Sequence, residues 1–149
     1  MYNTHMNDIA RGEPGGLFTL LHTAGVASNH VETKLATVGL SLAKLAALKA
    51  LKGAGESLPL SQLAERLSCV KSNITQLVDR LEADGLVTRA DDPRDRRSRL
   101  AVMTAAGRKA CDAGLSLQAE AERALLSDLS AAERQQLAVL MGKLEKGAR

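Results

Sequence analysis

The fold is decided by residues 60–104, LSQLAERLSCVKSNITQLVDRLEADGLVTRADDPRDRRSRLAVMT. Apolar residues in this stretch twice follow the i, i+3, i+4, i+7 spacing of an amphipathic helix. The two sets are Leu60, Leu63, Ala64 and Leu67, then Ile74, Leu77, Val78 and Leu81. Only residues 68–70 separate the segments, and so tight a turn predicts a helix-turn-helix, although an ordinary helical hairpin shows the same pattern.

The periodicity changes after Gly85. Residues 86–89 and 99–103 are typical of two short strands, and Asp91-Asp92-Pro93 between them is a turn signal. A β-hairpin directly after the second helix of a helix-turn-helix is called a wing. The stretch therefore predicts a winged helix.

Helical spacing also dominates the flanking sequence. A first helix is expected from Leu17 to Gly39, a second ends at Gly53 and Gly55, and long fifth and sixth helices follow the hairpin. The expected N-caps of the second, third, fifth and sixth helices are Ser41, Ser61, Thr104 and Ser130, the last in a capping box with Glu133. The prediction is a mainly α fold of six helices with a small β-hairpin.

Composition excludes several classes of function. The 149 residues are 45% hydrophobic and 25% charged, which suits one globular domain. With no Trp, one Tyr and one Phe, the chain has almost nothing on which single-stranded bases could stack. Two cysteines and no visible secretory signal favour a reducing cytoplasm, and no run of eighteen apolar residues suggests a membrane span.

Enzymatic and metal-binding motifs are missing from the sequence. There is no Gly-x-Ser-x-Gly, P-loop or His-Glu-x-x-His motif, and His22 and His30 lie too far apart to hold one metal ion. We therefore expect no catalytic residues, no metal and no cofactor. The net charge of +3 permits a phosphate-bearing partner without requiring one.

The polar face of the fourth helix is unusual for a face that is only solvated. Its residues are Lys71, Ser72, Asn73, Thr75, Gln76, Asp79 and Arg80. A solvated face normally prefers Glu and Lys, which are better helix formers than short amide and hydroxyl side chains. Asn and Gln match the donor–acceptor edge of adenine, whereas Ser and Thr bond bases or phosphates. The face therefore suggests DNA contact, with solvation as the alternative.

Arginine is concentrated in the expected hairpin. Residues 89–99 contain five Arg and three Asp. Guanidinium groups at a hairpin tip suit the narrow, negative minor groove of DNA, although many charged loops are merely solvated. A winged helix serving as a protein–protein adaptor is a competing interpretation, but an adaptor would not need Arg96 and Arg97 beside Asp95.

Residues 60–104 resemble the multiple-antibiotic-resistance regulator (MarR) family of winged-helix transcription factors. The resemblance rests on segments 63–67, 71–82 and 85–87, and on Asp92-Pro93-Arg94-Asp95-Arg96-Arg97 before Met103-Thr104. Counting the flanking helices, it covers residues 17–147. It implies an intertwined homodimer, with residues 17–40 and 104–147 forming the dimerisation region, residues 41–103 the DNA-binding lobe, and residues 1–14 a tail. The apolar stripes of the fifth and sixth helices agree, because no other part of so short a chain is expected to cover them. They are Ala110, Gly114, Leu117, Ala121 and Ala124 in the fifth helix and Leu137, Leu140, Met141 and Leu144 in the sixth.

The resemblance places the fourth helix in a major groove and the wing beside the adjoining minor groove. The residues expected to contact bases are Ser72, Asn73, Thr75 and Gln76, and those expected to contact phosphates are Ser61, Lys71, Arg80, Arg94 and Arg96. In the family's wing an aspartate holds an arginine that enters the minor groove, which corresponds to Asp95 and Arg97. Val70 departs from the family, because a capping serine is usual there; Ser68 is the substitute candidate.

Many relatives release DNA when a small anionic phenol binds between the dimer helices and the DNA-binding lobe. The candidate residues lining this ligand pocket are His22, Thr23 and His30. The alternative is that they lie at the surface or at the dimer interface and bind no ligand. Cys69, in the turn of the helix-turn-helix, is a candidate redox sensor or a buried structural thiol. Cys111 is expected to pack at the dimer interface. The expected function is a ligand-relieved repressor that binds a pseudo-palindromic double-stranded operator as a dimer, with a thiol-redox-responsive regulator of the same fold as the alternative.

Overall fold

The structure is a computed structural model that describes residues 16–67 and 71–149. Its described elements are α1 (Leu17–Ala36), α2 (Leu42–Gly53), β1 (Ser57–Pro59), α3 (Leu60–Arg66), α4 (Lys71–Ala83), β2 (Val87–Asp92), β3 (Asp95–Met103), α5 (Ala105–Leu125) and α6 (Ala131–Gly147). The prediction of six helices and a hairpin is confirmed. No helix in the described ranges is long and apolar enough to cross a lipid bilayer.

Three of the four expected N-caps are confirmed. The Ser41 hydroxyl accepts a hydrogen bond from the Lys44 amide, and the Thr104 hydroxyl accepts one from the Gly107 amide. Ser130 forms the expected capping box. The expected cap at Ser61 is wrong. Helix α3 begins at Leu60 with Pro59 at the N-cap position, because β1 runs directly into the helix.

The hairpin belongs to a three-stranded antiparallel sheet of order β1-β3-β2. Both hairpin strands are longer than predicted, and they continue to a two-residue turn after Asp92. Strand β1 was not predicted, because three residues are too few to show an alternating pattern. It exists through its pairing with β3, where Leu58 lies opposite Ala101.

The hydrophobic core lies where α2, α3, α4, α5 and the sheet meet. Its largest fully buried side chains include Leu45, Leu48, Leu51, Leu63 and Val78. Two glycines let α5 approach closely. A Cβ at Gly107 would overlap the Leu86 carbonyl oxygen, and one at Gly114 would lie 2.8 Å from a methyl carbon of Leu45.

Part of the α5 stripe is covered within the chain, so the expectation that only a second subunit could cover it is wrong for Gly114 and Ala121, which are both buried. Cys111 is likewise fully buried in the core of its own chain rather than at an outer surface. The α6 stripe behaves as expected, because no residue of α6 is buried. The larger exposed apolar residues of α1 and α6 are Leu17, Phe18, Leu20, Leu21, Val26, Leu137, Val139, Leu140, Met141 and Leu144.

Candidate nucleic-acid interface

Helix α4 divides into an apolar inner face and a polar outer face, as predicted. Ile74, Leu77, Val78 and Leu81 are buried against the core. The side chains of Asn73, Thr75, Gln76, Asp79 and Arg80 are exposed. Lys71 and Ser72 begin the helix, but their side chains lie outside the described part, as do Ser68, Cys69 and Val70.

Gly85 carries the chain from α4 into the wing. Its φ of 73° lies in the left-handed region that glycine adopts without a steric penalty. The following amide, that of Leu86, donates to the Leu81 carbonyl oxygen at 2.9 Å and closes the end of the helix. The wing therefore starts in a fixed direction from the polar helix.

Two aspartates shape the tip of the wing. The Asp92 carboxylate accepts a hydrogen bond from the Arg94 amide, and the Asp95 carboxylate accepts one from the Arg97 amide, each at 2.9 Å. Asp95 thus holds the backbone of Arg97 and leaves its guanidinium exposed. Within the described residues, Arg94, Arg96 and Arg97 form no ion pair. The tip therefore presents three guanidinium groups without an ion-pair partner among the described residues, beside the carboxylates of Asp92 and Asp95.

The other two arginines of residues 89–99 are not at the tip. Arg99 pairs with Asp91 on the opposite strand at 2.7 Å. Arg89 reaches back to α4, where its guanidinium contacts Asp79 at 2.5 Å and Glu82 at 3.1 Å. The prediction of five arginines concentrated at the tip is wrong, because two of them have carboxylate partners elsewhere in the lobe.

The polar helix, the third helix and the wing surround one cleft of about 380 Å³. Its lining includes Ser61 of α3, Thr75 of α4, and Asp95 and Arg97 of the wing. Three of the predicted DNA-contacting residues, together with the aspartate predicted to hold Arg97, therefore meet around a single concave surface. Sequence spacing predicted each residue separately but not the cleft that they share.

The candidate ligand residues of α1 are not brought together. A surface depression of about 400 Å³ is lined by His22, Asn29 and Glu32, among others, but not by Thr23 or His30. His30 lies about 12 Å further along the helix than His22, given a rise of 1.5 Å per residue. Its Nε2 atom is buried and has no hydrogen-bond partner in the described part of the chain.

Cys111 is poorly suited to react as a thiolate. Burial raises the pKa of its thiol, and the nearby Lys52 only partly opposes this effect. Lys52 instead pairs with Asp112 at 2.5 Å, and that hydrogen bond raises the pKa of the lysine.

Sequence reasoning missed the role of Arg89. It counted this residue among the wing arginines and gave it no separate function. The one available signal was the pair of acids on α4, Asp79 and Glu82, which lie three residues apart and so share one side of the helix.

Comparison with known proteins agrees with the winged-helix architecture. Residues 38–98 match the model of the MarR family. A curated relative, the HTH-type transcriptional regulator YkoM of Bacillus subtilis, is 37% identical over 84 residues, which are 56% of this chain and 54% of the relative. The chain thus spans about half the length of the curated relatives it matches.

Two solved structures extend the similarity over most of the chain. A probable transcriptional regulator from Pseudomonas aeruginosa is 31% identical, covers 85% of this chain and 94% of its own, and has a TM-score of 0.77. A mutant MarR from E. coli complexed with operator DNA is 24% identical, covers 87% and 94%, and has a TM-score of 0.79. The fold, the matched family model and the near-complete alignment with the Pseudomonas protein together show that the chain belongs to the MarR family of transcriptional regulators.

Proposed function

We propose that this protein binds double-stranded operator DNA as a homodimer and represses transcription until a small ligand releases it. The observation that carries the proposal is the cleft where α4 and the wing meet, which is lined by the hydroxyl side chains of Ser61 and Thr75 and by Arg97 of the wing, with the exposed amides of Asn73 and Gln76 on the same helix. The structure of an E. coli MarR with operator DNA, which shares the fold, supports this reading.

The residues divide into base-reading and backbone-binding groups. Ser72, Asn73, Thr75 and Gln76 at the start of α4 would read base edges in the major groove. Ser61, Lys71, Arg80, Arg94 and Arg96 would hold phosphates, which contribute most of the affinity but little selectivity. Arg97 would enter the minor groove, with its backbone fixed by Asp95.

The homodimer is supported by the exposure of α6. This helix has 17 residues, of which none is buried in the isolated chain. Helices in proteins owe most of their stability to the packing of an apolar face. We therefore expect the exposed Leu140, Met141 and Leu144 to pack against an apolar surface of a second subunit. The start of α1 is also apolar and exposed, so it is a suitable surface for this contact.

In this proposal, residues 17–40 and 104–147 form the dimerisation region, and residues 41–103 form the DNA-binding lobe. In the described part of the chain, two ion pairs cross this boundary: Arg108 with Glu56, and Lys52 with Asp112, both at 2.5 Å. The glycines of α5 also bring the two regions into direct contact. A change at the dimer interface would thus be transmitted to the position of the DNA-binding lobe.

DNA binding is tested by selecting bound sequences from a random pool of duplexes. We expect a pseudo-palindrome whose half-sites lie about one helical turn apart, because each subunit of a symmetric dimer presents one α4. Recovery of no enriched sequence, or of a single unpaired half-site, would contradict the proposal.

Dimerisation is tested with Leu140→Glu, which places a charge on the apolar side of α6. Light scattering should report a monomer, and operator binding should fall with it. Gln135→Glu is the matched control, because position 135 lies on the opposite side of the helix at 100° per residue. A wild-type monomer, or equal behaviour of the two variants, would refute the dimer.

Ligand release is supported by His30, whose buried Nε2 has no partner in the described part of the chain. A buried polar atom without a partner is costly, and an acidic phenol could supply the missing bond. Adding salicylate-like aromatic acids should weaken operator binding by the wild type. The weakening should be lost in His30→Ala. Equal release of both proteins would show that His30 takes no part.

A further inference from the structure

We propose that Arg89 is a positioning residue that locks the wing against α4, so that the base-reading helix and Arg97 meet the duplex at a fixed angle. The inference rests on the proposed DNA-binding function and adds to it a residue that does not itself touch DNA. Among the described contacts, Arg89 is the wing arginine whose guanidinium is directed toward α4 rather than toward the tip or the neighbouring strand.

Three acceptors on α4 hold the Arg89 guanidinium. Its Nη2 donates to the Asp79 carboxylate at 2.5 Å and to the Thr75 carbonyl oxygen at 3.4 Å, and its Nη1 donates to the Glu82 carboxylate at 3.1 Å. Positions 75, 79 and 82 follow the i, i+4, i+7 spacing of one helix side. The planar guanidinium therefore lies along two turns of α4 and resists both sliding and rotation of the helix.

The other end of this link is equally well fixed. Arg89 is the third residue of β2, and its backbone lies opposite Ala101 of β3, which is fully buried. Its side chain is 20% exposed, whereas that of Asp79 is 60% exposed. Among the described residues, the contacts of Arg89 are the ion pairs that join the wing to α4, since Arg99 pairs with Asp91 inside the wing.

The link acts on the geometry of DNA contact. Thr75, whose carbonyl oxygen it holds, is a predicted base contact, and Arg97 lines the same cleft from the wing. Major-groove and minor-groove contacts form together only when the helix and the hairpin keep one relative orientation. Losing the link should therefore weaken the contribution of Arg97 without removing any side chain that is expected to contact DNA.

The competing interpretation is that Arg89 contacts a phosphate. The two interpretations predict opposite effects of Asp79→Ala. If Asp79 only repels phosphates, its removal should tighten DNA binding. If Asp79 fixes Arg89, its removal should weaken operator binding by about tenfold, which is the typical size of one lost wing contact. Glu65→Ala is the charge control, because Glu65 is an exposed acid of α3 that forms no ion pair within the described residues.

The experiment measures operator affinity against salt concentration for the full-length wild type, Asp79→Ala, Arg89→Gln and Arg97→Ala, and for Arg97→Ala combined with each of the others. Positioning predicts about tenfold weaker binding by Asp79→Ala and by Arg89→Gln, with the same salt slope for the two variants. It also predicts that Arg97→Ala costs less in either background than alone, because the residues act as a unit. Asp79→Ala, which leaves every arginine in place, keeps the test decisive if Arg89→Gln fails to fold.

Three results would overturn the inference: tighter binding by Asp79→Ala, additive losses with Arg97→Ala, or a salt slope for Arg89→Gln that is lower than that of Asp79→Ala by about 0.9, the value for one lost phosphate contact. These results differ from a failure of the proposed function. If the wild type selects no operator, both proposals fall. If it does and the variants behave additively, only the role of Arg89 falls.

Discussion

Replacing Gly107 by alanine should destabilise the protein and disturb the wing. Gly107 lies near the start of α5, directly over the base of the wing. A Cβ there would overlap the Leu86 carbonyl oxygen and would also lie 3.0 Å from Cγ of Met103. The Met103 side chain can rotate away, but the carbonyl oxygen belongs to the backbone and accepts a hydrogen bond from the Thr104 amide at 3.1 Å. Helix and strand must therefore separate.

The magnitude follows from three contributions. Overpacking a close contact costs about 1–3 kcal/mol. Weakening the hydrogen bond between the Thr104 amide and the Leu86 carbonyl oxygen costs about 1 kcal/mol. The better helix propensity of alanine returns about 1 kcal/mol. The net expectation is a free energy of unfolding lower by about 1–3 kcal/mol, whereas most exposed substitutions change it by less than about 0.5 kcal/mol.

Chemical denaturation measures this change, at one fixed protein concentration because an oligomer's stability depends on concentration. Gly53→Ala is the matched control. Gly53 is the last residue of α2, is exposed, and has nothing within 4 Å of an added Cβ. The control should be neutral or slightly stabilising. If Gly107→Ala is as stable as the wild type, the close approach of α5 to the wing is not a constraint and the reasoning is refuted.

The remaining predictions concern DNA contact and the buried thiol. Arg97→Ala should weaken operator binding by about 1–3 kcal/mol in a filter or fluorescence assay and lower the salt slope, and an unchanged affinity at every salt concentration would contradict the wing contact. Asn73→Ala should relax sequence preference more than it lowers affinity for random DNA; equal losses on both would remove its base-reading role. In a Cys69→Ser background, Cys111 should be alkylated far more slowly in the native than in the denatured protein at pH 8, since burial raises its thiol pKa. The raised pKa should lower the free energy of unfolding as pH rises above the ordinary thiol pKa of 9.0, because the unfolded thiol ionises first and binds fewer protons. A pH-independent contribution of Cys111, measured against Cys111→Ala, would contradict this expectation.

Local sequence was sufficient to predict the helices and the two faces of α4. The caps at Ser41, Thr104 and Ser130 could be predicted from the sequence, because each hydroxyl accepts a hydrogen bond from an amide only three residues away. The turn residues were sufficient to predict that a hairpin forms, but they did not predict how long its two strands are. Strand β1 left no sequence signal, because only its pairing with β3, more than 40 residues away, makes it a strand.

The burial of Cys111 and Gly114 was also not readable. Gly114 lies on the regular stripe of α5 and Cys111 lies three residues before it, and such a stripe fits a dimer seam and an internal contact equally well. The structure shows that α2 comes close enough to cover this part of the stripe, whereas α6 is left exposed. Periodicity predicts which side of a helix is apolar, but not which surface covers it.

The sequence by itself determined that this is a winged-helix protein with a polar fourth helix and an arginine-rich hairpin, because helix periodicity, capping and turn chemistry depend on residues close along the chain. Only the tertiary structure separated Arg89 and Arg99 from Arg94, Arg96 and Arg97. These five side chains have the same chemistry, and their roles depend on which carboxylates the fold brings within a few ångströms. Such encounters join residues distant in sequence, and their distances are set by the packing of the whole core.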